Sequence, residues 1–255
     1  MKALLKDMND VKPIIEMRGI SKYFGYVIAL DDINFEIYPR EISALVGDNG
    51  AGKSTLIKIL SGILKPSKGD VFINGKLARI ENPTDAIKLG IGTVYQDLAL
   101  VDCLDCATNI YIGREPLKGG IFVDRTKMGN DTMKILERLK VRIKSPRLVV
   151  GYLSGGQRQS LAIGRVISRE CEVFILDEPT AALGVRESGE VLELIKELKN
   201  SGKSIVIISH NLSHVFSIAD RFTVLRQGKV VGKRLAKETT TEEIVSMITS
   251  AYSIQ

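Results

Sequence analysis

Two kinds of hydrophobic pattern divide the chain. Short, nearly unbroken apolar runs occur at EISALVG (41–47), GIGTVYQ (90–96), CEVFILDE (171–178) and SIVIISH (204–210). Other stretches place apolar residues every three or four positions, notably AGKSTLIKILSGI (51–63) after the first run and GVRESGEVLELIKELKN (184–200) between the last two. The runs predict strands buried on both faces and the periodic stretches predict helices covering them, the pattern of a parallel sheet in an α/β protein. Near the N-terminus, PIIEMRGI (13–20) and VIALDDINFEIY (27–38) predict a small antiparallel β layer, with SKYFGY (21–26) as the loop between them.

Between Asp97 and Arg169 the strand pattern stops. CATNIYIG (106–113), TKMGNDTMKILERLK (126–140) and GQRQSLAIGRVIS (156–168) read as helices, so residues 97–169 are expected to form an inserted helical subdomain. The flanking segments 14–96 and 170–235 then make one core. After His210 follow a short helix, a hairpin of RFTVLRQ and KVVGKR turned by Gln227-Gly228, and a helix near 240–250 within the C-terminal segment 236–255. No internal repeat divides residues 1–255, which read as a single domain with an insertion.

Composition narrows the class. A length of 255 residues with 44% hydrophobic content supports a real core. No stretch approaches the roughly 20 apolar residues of a bilayer span, and the opening MKALLKDMNDVKP lacks a signal-peptide pattern, so a cytoplasmic chain is expected. Cys103, Cys106 and Cys171 are expected to be reduced packing residues, since no second CxxC or CxxH completes a metal site around the first two. The net charge of +6 is concentrated in KILERLKVRIKSPR (134–147), read as a solvated helix face. With 5% aromatics, no Trp and no recognisable module, nucleic acid is not an expected partner.

The chemistry lies at strand ends. Gly47, Asp48, Asn49, Gly50, Ala51, Gly52, Lys53, Ser54 and Thr55 fit GxxxxGK(S/T) between a predicted strand and a predicted helix. Backbone N–H groups of such a loop surround phosphates, Lys53 reaches the outer ones, and Ser54 offers a hydroxyl to Mg²⁺. The strand 173–176 ends in Asp177 and Glu178, placed for one carboxylate to hold magnesium and the other to activate water. His210 ends the next strand and is assigned to the γ-phosphate; with His214 it lacks the glutamate of a zinc helix, where Asn211 stands. Gln96 closes GIGTVYQ where the insertion begins, a neutral amide able to meet magnesium or water at a hinge. Phe24 is a candidate to stack on a base, with Tyr23 as second choice. A second Gly-rich helix start, Leu153-Ser154-Gly155-Gly156-Gln157, has the form of another anion grip.

In this order these motifs resemble the ATP-binding cassette ATPases, from about residue 14 to about residue 235. The resemblance implies a P-loop NTPase core and ATP with Mg²⁺ as cofactors. Lys53 and Ser54 would serve phosphate and metal, Asp177 the metal through water, Glu178 the attacking water, His210 the γ-phosphate and Phe24 the base. LSGGQ at 153–157 would cap ATP held by a paired cassette. NIYIGREP, DEPTAALGVRES and SHNLSHVFSIADR are similar to the ATPases of ribose-, xylose- and fructose-type importers. That implies a homodimer or a pairing with a different cassette, transmembrane permease subunits at the inner face of the membrane, and indirectly a periplasmic or extracellular sugar-binding protein. Gly184 stands where the family's SALD segment carries Asp, removing that side chain from the contact between protomers. An exporter's ATPase and a soluble, nucleotide-switched assembly factor share the same core and stay open as alternatives.

Overall fold

The computed structural model describes residues 11–141, 143–181 and 183–249. Its elements in chain order are β1 Ile15–Phe24, β2 Val27–Ile37, β3 Ile42–Gly47, α1 Lys53–Leu60, β4 Lys68–Ile73, β5 Lys76–Ala78, α2 Pro83–Lys88 and β6 Ile91–Val94. Next come α3 Cys106–Tyr111, β7 Leu117–Lys118, β8 Phe122–Val123, α4 Arg125–Arg138, α5 Gly155–Ile167, β9 Val173–Asp177 and α6 Val185–Asn200. The chain continues through β10 Ser204–Ile208, α7 Leu212–Phe216, β11 Arg221–Arg226, β12 Lys229–Leu235 and α8 Thr241–Thr249.

The central sheet has the order β12-β11-β3-β10-β9-β6. Its strands are parallel except for the edge strand β12, which pairs antiparallel with β11. Alternate residues serve opposite faces, which is why the sequence shows continuous apolar runs. Ile42, Ala44 and Val46 of β3 join Phe174, Ile205 and Phe222 against α5 and α6. Leu45, Ile175, Val206 and Ile208 face the other way, onto α1 and the N-terminal β layer. A third cluster of Cys106, Ile110, Leu136, Val150 and Leu161 holds the helical insertion together.

Several expectations need correction. SKYFGY is not a loop: β1 runs to Phe24, and the turn is confined to Gly25 and Tyr26. The β layer has the order β2-β1-β4-β5, so a second hairpin, β4–β5, completes it. Asn74 and Gly75 turn that hairpin with φ of 51° and 74°, the doubly left-handed turn that Asn-Gly favours. The insertion is not purely helical, because β7 and β8 form a small hairpin within it. The basic run 134–147 is not one helix face: α4 stops at Arg138, Leu139 and Ile143 are buried, and Lys140 pairs with Glu197 of α6. Arg142 lies outside the described residues, as do 250–255 of the C-terminal segment. Cys106 and Cys171 are buried as packing residues, but Cys103 is exposed.

Candidate functional site

Four parallel strands, β3, β10, β9 and β6, deliver the candidate residues to the carboxyl end of the sheet. β3 ends at Gly47, β9 at Asp177, and His210 follows β10 by two residues. Because β10 lies between β3 and β9, the carboxylates and the histidine arrive on neighbouring strands beside the phosphate loop. Gln96 does not close its strand as expected; β6 ends at Val94, and Gln96 is an exposed residue two positions beyond. A cavity of about 220 Å³ is lined by Asn49 to Thr55, Gln96, Asp177 and Glu178, together with Ala29 and Ile208.

The loop is held from behind. A Cβ on Gly47 would lie 2.2 Å from the Leu225 carbonyl oxygen of β11, so only glycine lets the chain pass there. The turn Gln227-Gly228 supplies a further strut: the Gly228 N–H donates to the Ala51 carbonyl at 3.0 Å, and the Gly228 carbonyl accepts from Asp31 of β2 at 2.8 Å. Gly47→Ala is therefore expected to push β3 and β11 apart, destabilising the protein by about 1–3 kcal/mol. Nucleotide affinity should fall at least about ten-fold, one such increment being about 1.4 kcal/mol. Thermal denaturation with and without ATP checks both effects.

Lys53 is buried, and its ammonium donates to the carbonyls of Gly47 at 2.8 Å and Asp48 at 2.9 Å. Burial lowers its pKa; Glu178, Asp48 and Asp177 oppose that shift. Asp177 shows the mirror effect: burial and then the neighbouring Glu178 raise its pKa, while Lys53 and Lys58 pull it down. The site is thus a cation and two carboxylates that hold one another's charge in check. Ser54 is exposed at the start of α1, so its hydroxyl, the Asp177 carboxylate and the Gln96 amide offer hard oxygen ligands around one cavity. That donor set suits Mg²⁺.

Glu178 has a φ of 51°, in the left-handed region. Its N–H donates to the Ile208 carbonyl at 2.8 Å, tying it to the end of β10. One carboxylate oxygen accepts the His210 backbone N–H at 3.1 Å and lies 2.8 Å from His210 Nδ1. The Glu178 side chain is 13% exposed and that of His210 70%, so the acid is sheltered while the imidazole reaches outward. His214 is used locally instead: its Nδ1 lies 3.1 Å from Thr180 Oγ1. Among the described residues no group of three or more His, Cys, Asp and Glu is placed to hold a metal ion.

Phe24 ends β1 and does not line the phosphate cavity; its half-exposed ring has Lys22 Nζ 5.3 Å from its centroid. The second grip is also elsewhere. Ser154 caps α5, accepting from the Gln157 N–H at 3.4 Å, while the Gln157 side chain accepts from the Ser154 N–H at 3.0 Å. A Cβ on Gly155 would lie 2.8 Å from Leu183 Cδ2, so the helix start is pressed against the segment leading into α6. Gly184, the N-cap of α6, provides no side-chain cap and has open space around it. Ser154, Gly156 and Gln157 border a separate cleft of about 770 Å³ that contains no residue of the phosphate loop.

Sequence reasoning missed the supports of this site. Ala29 of β2 lines the cavity directly, the Gly228 N–H braces the Ala51 carbonyl from far along the chain, and Arg165 of α5 holds the Ala99 carbonyl just beyond Gln96. Only the Gln227-Gly228 turn was visible locally.

A protein-family model described as ABC transporter matches residues 30–181. This chain belongs to the ABC transporter family. The chain is 45% identical over 93% of its length to the xylose/arabinose import ATP-binding protein XylG of Sulfolobus acidocaldarius, covering 94% of that protein. It is 43% identical, again over 93% of its length, to the ribose import ATP-binding protein RbsA 1 of Rubrobacter xylanophilus, of which it spans 47%. The fold agrees with the crystal structure of a nucleotide-free ATP-binding cassette from an ABC transporter, with a TM-score of 0.81, 26% identity, and coverage of 94% of this chain and 96% of that one. The α/β architecture is therefore that of an ABC cassette, and its activity class is ATP hydrolysis coupled to transport.

Proposed function

We propose that this chain is the ATP-hydrolysing subunit of an importer for a monosaccharide of the ribose, xylose or fructose type. The observation that carries this reading is the convergence of Lys53, Ser54, Gln96, Asp177 and Glu178 on one cavity, with the Gly-rich start of α5 bordering a separate cleft. The loop N–H groups and Lys53 bind the β- and γ-phosphates, and Phe24 stacks on the base. Ser54, Gln96 and, through water, Asp177 would hold Mg²⁺, which when bound supplies positive charge against the phosphate oxygens. Glu178 orients the attacking water and takes its proton, and His210 donates to the γ-phosphate.

Ser154 to Gln157 cannot serve the same chain's cavity from their own cleft. Two chains in twofold symmetry would each give one phosphate loop and one LSGGQ segment to both sites, as a self-complementary interface requires. ATP then closes the pair, and hydrolysis reopens it. The helical insertion 97–169, especially residues 97–118 next to Gln96, passes this motion to transmembrane permease subunits at the inner face of the membrane, which receive sugar from an external binding protein. Among the described residues no helix is long and apolar enough to cross a membrane. The names of the relatives support the cargo class.

The test is uptake. Cells lacking this chain should lose ATP-dependent accumulation of at least one of labelled xylose, ribose and fructose, and wild-type chain should restore it while the Glu178→Gln variant does not. Unchanged uptake of all three sugars would overturn the proposed cargo class, and loss of efflux instead would favour an exporter.

A further inference from the structure

The hairpin β7–β8 lies outside the nucleotide site, and its apolar side chains are turned to solvent. Gly119 and Gly120 turn it with φ of 63° and 77°, and a Cβ on either would meet nothing within 4 Å. Ile121 and Phe122 at its end are 78% and 74% exposed, whereas Phe35, Phe174 and Phe222 are fully buried. Leu117 and Val123, paired across the two strands, are exposed as well. Within residues 117–123 these side chains make an apolar patch of the kind that marks an interaction site.

The cations beside the patch are uncommitted. Lys118, the cross-strand partner of Phe122, borders a hollow of about 620 Å³ together with Arg125, Lys127 and Lys134 of α4. Lys134 pairs with Asp131 at 3.7 Å, but among the described residues the side chains of Lys118, Arg125 and Lys127 have no ion pair or hydrogen bond. The nearby acids are occupied. Asp124 caps α4 by accepting the Lys127 N–H at 2.9 Å, and Asp131 also accepts from the Tyr111 hydroxyl at 3.3 Å. Arg125 and Lys127 sit in the first turn of α4, where the helix dipole disfavours cations, so neither is there to stabilise the helix.

We infer that β7–β8 and the first turn of α4 form a membrane-surface contact. Ile121 and Phe122 enter the headgroup region of an anionic bilayer, and Lys118, Arg125 and Lys127 meet its phosphates. An apolar tip ringed by cations fits that surface, because the acyl boundary takes the apolar side chains while the headgroups at the same depth supply negative charge. A protein groove over the same tip would have to cover two lysines, a residue type depleted from protein interfaces. The inference goes beyond the reading above and rests on it only in placing the chain at a membrane. The hairpin would hold the cassette against the bilayer without help from the permease.

The test is co-sedimentation of the full chain with vesicles of phosphatidylcholine alone and of phosphatidylcholine mixed with phosphatidylglycerol. Binding to the anionic vesicles should be at least about ten-fold stronger and should weaken as salt rises. Arg125→Gln with Lys127→Gln should reduce it about five-fold per cation removed. Ile121→Ser with Phe122→Ser should reduce it at least about ten-fold, while ATP turnover and the thermal midpoint stay those of the parent chain. The chain has no Trp, so Phe122→Trp places a sole indole at the tip, and its emission should shift to the blue with anionic vesicles only.

Equal binding to the two lipid mixtures, or a parent chain that binds neither, would overturn the inference. So would an Ile121→Ser, Phe122→Ser protein that binds as the parent does, or an unshifted emission from Phe122→Trp. Sugar uptake lost in the serine variant, with no vesicle binding by the parent, would assign the hairpin to a protein partner instead. The vesicle assay needs no permease, cargo or hydrolysis, so the inference can fail while the ATPase assignment stands.

Discussion

Glu178→Gln is expected to bind ATP at least as well as the parent chain, to lose about 10²- to 10⁴-fold in turnover, and to accumulate as an ATP-bound pair. The amide keeps an oxygen that can accept the two donors from His210, now at 2.8 and 3.1 Å, so the end of β10 and the loop should hold their places. What disappears is the ability to take a proton from water. The substitution also removes a negative charge that raises the pKa of Asp177, so Asp177 becomes easier to ionise. One less carboxylate near the phosphates lowers repulsion in the bound state, which favours ATP retention. Fluorescent-nucleotide titration, phosphate release and size-exclusion chromatography with ATP separate the three effects. Phosphate release within about three-fold of the parent would remove Glu178 as the base, a loss too small for a missing proton acceptor.

How much of this was legible before the structure depends on the range of the interaction. The parallel strands were legible because β3, β9 and β10 are buried on both faces and read as unbroken apolar runs. The phosphate loop, Asp177, Glu178 and His210 were legible because each closes such a run. The hairpin β4–β5 carried an Asn-Gly turn signal at 74–75, but Lys68, Gly69 and Asp70 open its first strand exposed, so little alternation was there to read. The same holds for β7–β8, whose four strand residues are all exposed. The supports of the site were illegible for a different reason. Nothing near Gly228 says that its N–H will brace Ala51, and nothing near Arg165 says that it will hold Ala99, because both depend on how distant segments dock. Asn109 illustrates the point within a motif: NIYIGREP carries a family resemblance, whereas the structure buries Asn109 so that it braces the Val101 N–H and carbonyl.

Ser154→Arg should leave ATP affinity of the single chain unchanged, abolish ATP-dependent pairing and reduce turnover at least about ten-fold, the scale on which a lost positioning contact acts. Affinity is spared because Ser154 lies in the cleft beside α6 and not in the cavity around Lys53. Pairing is lost because the N-terminus of α5 must come close to a phosphate held by the partner, and a long side chain occupies that approach even though its charge is favourable. The substitution has a second consequence that must be separated from the first. Ser154 Oγ accepts the Gln157 N–H, and removing that cap costs about 0.5–2 kcal/mol of helix stability. Ser154→Ala removes the cap without adding bulk, so it should lower the thermal midpoint about as much as Ser154→Arg does. If the two substitutions impair pairing equally, the helix cap itself is what pairing requires; if only arginine does, steric access to the partner's phosphate is the cause. Pairing and turnover preserved in Ser154→Arg would show that LSGGQ does not meet the partner's nucleotide, and the two phosphate grips would then have to be explained within one chain.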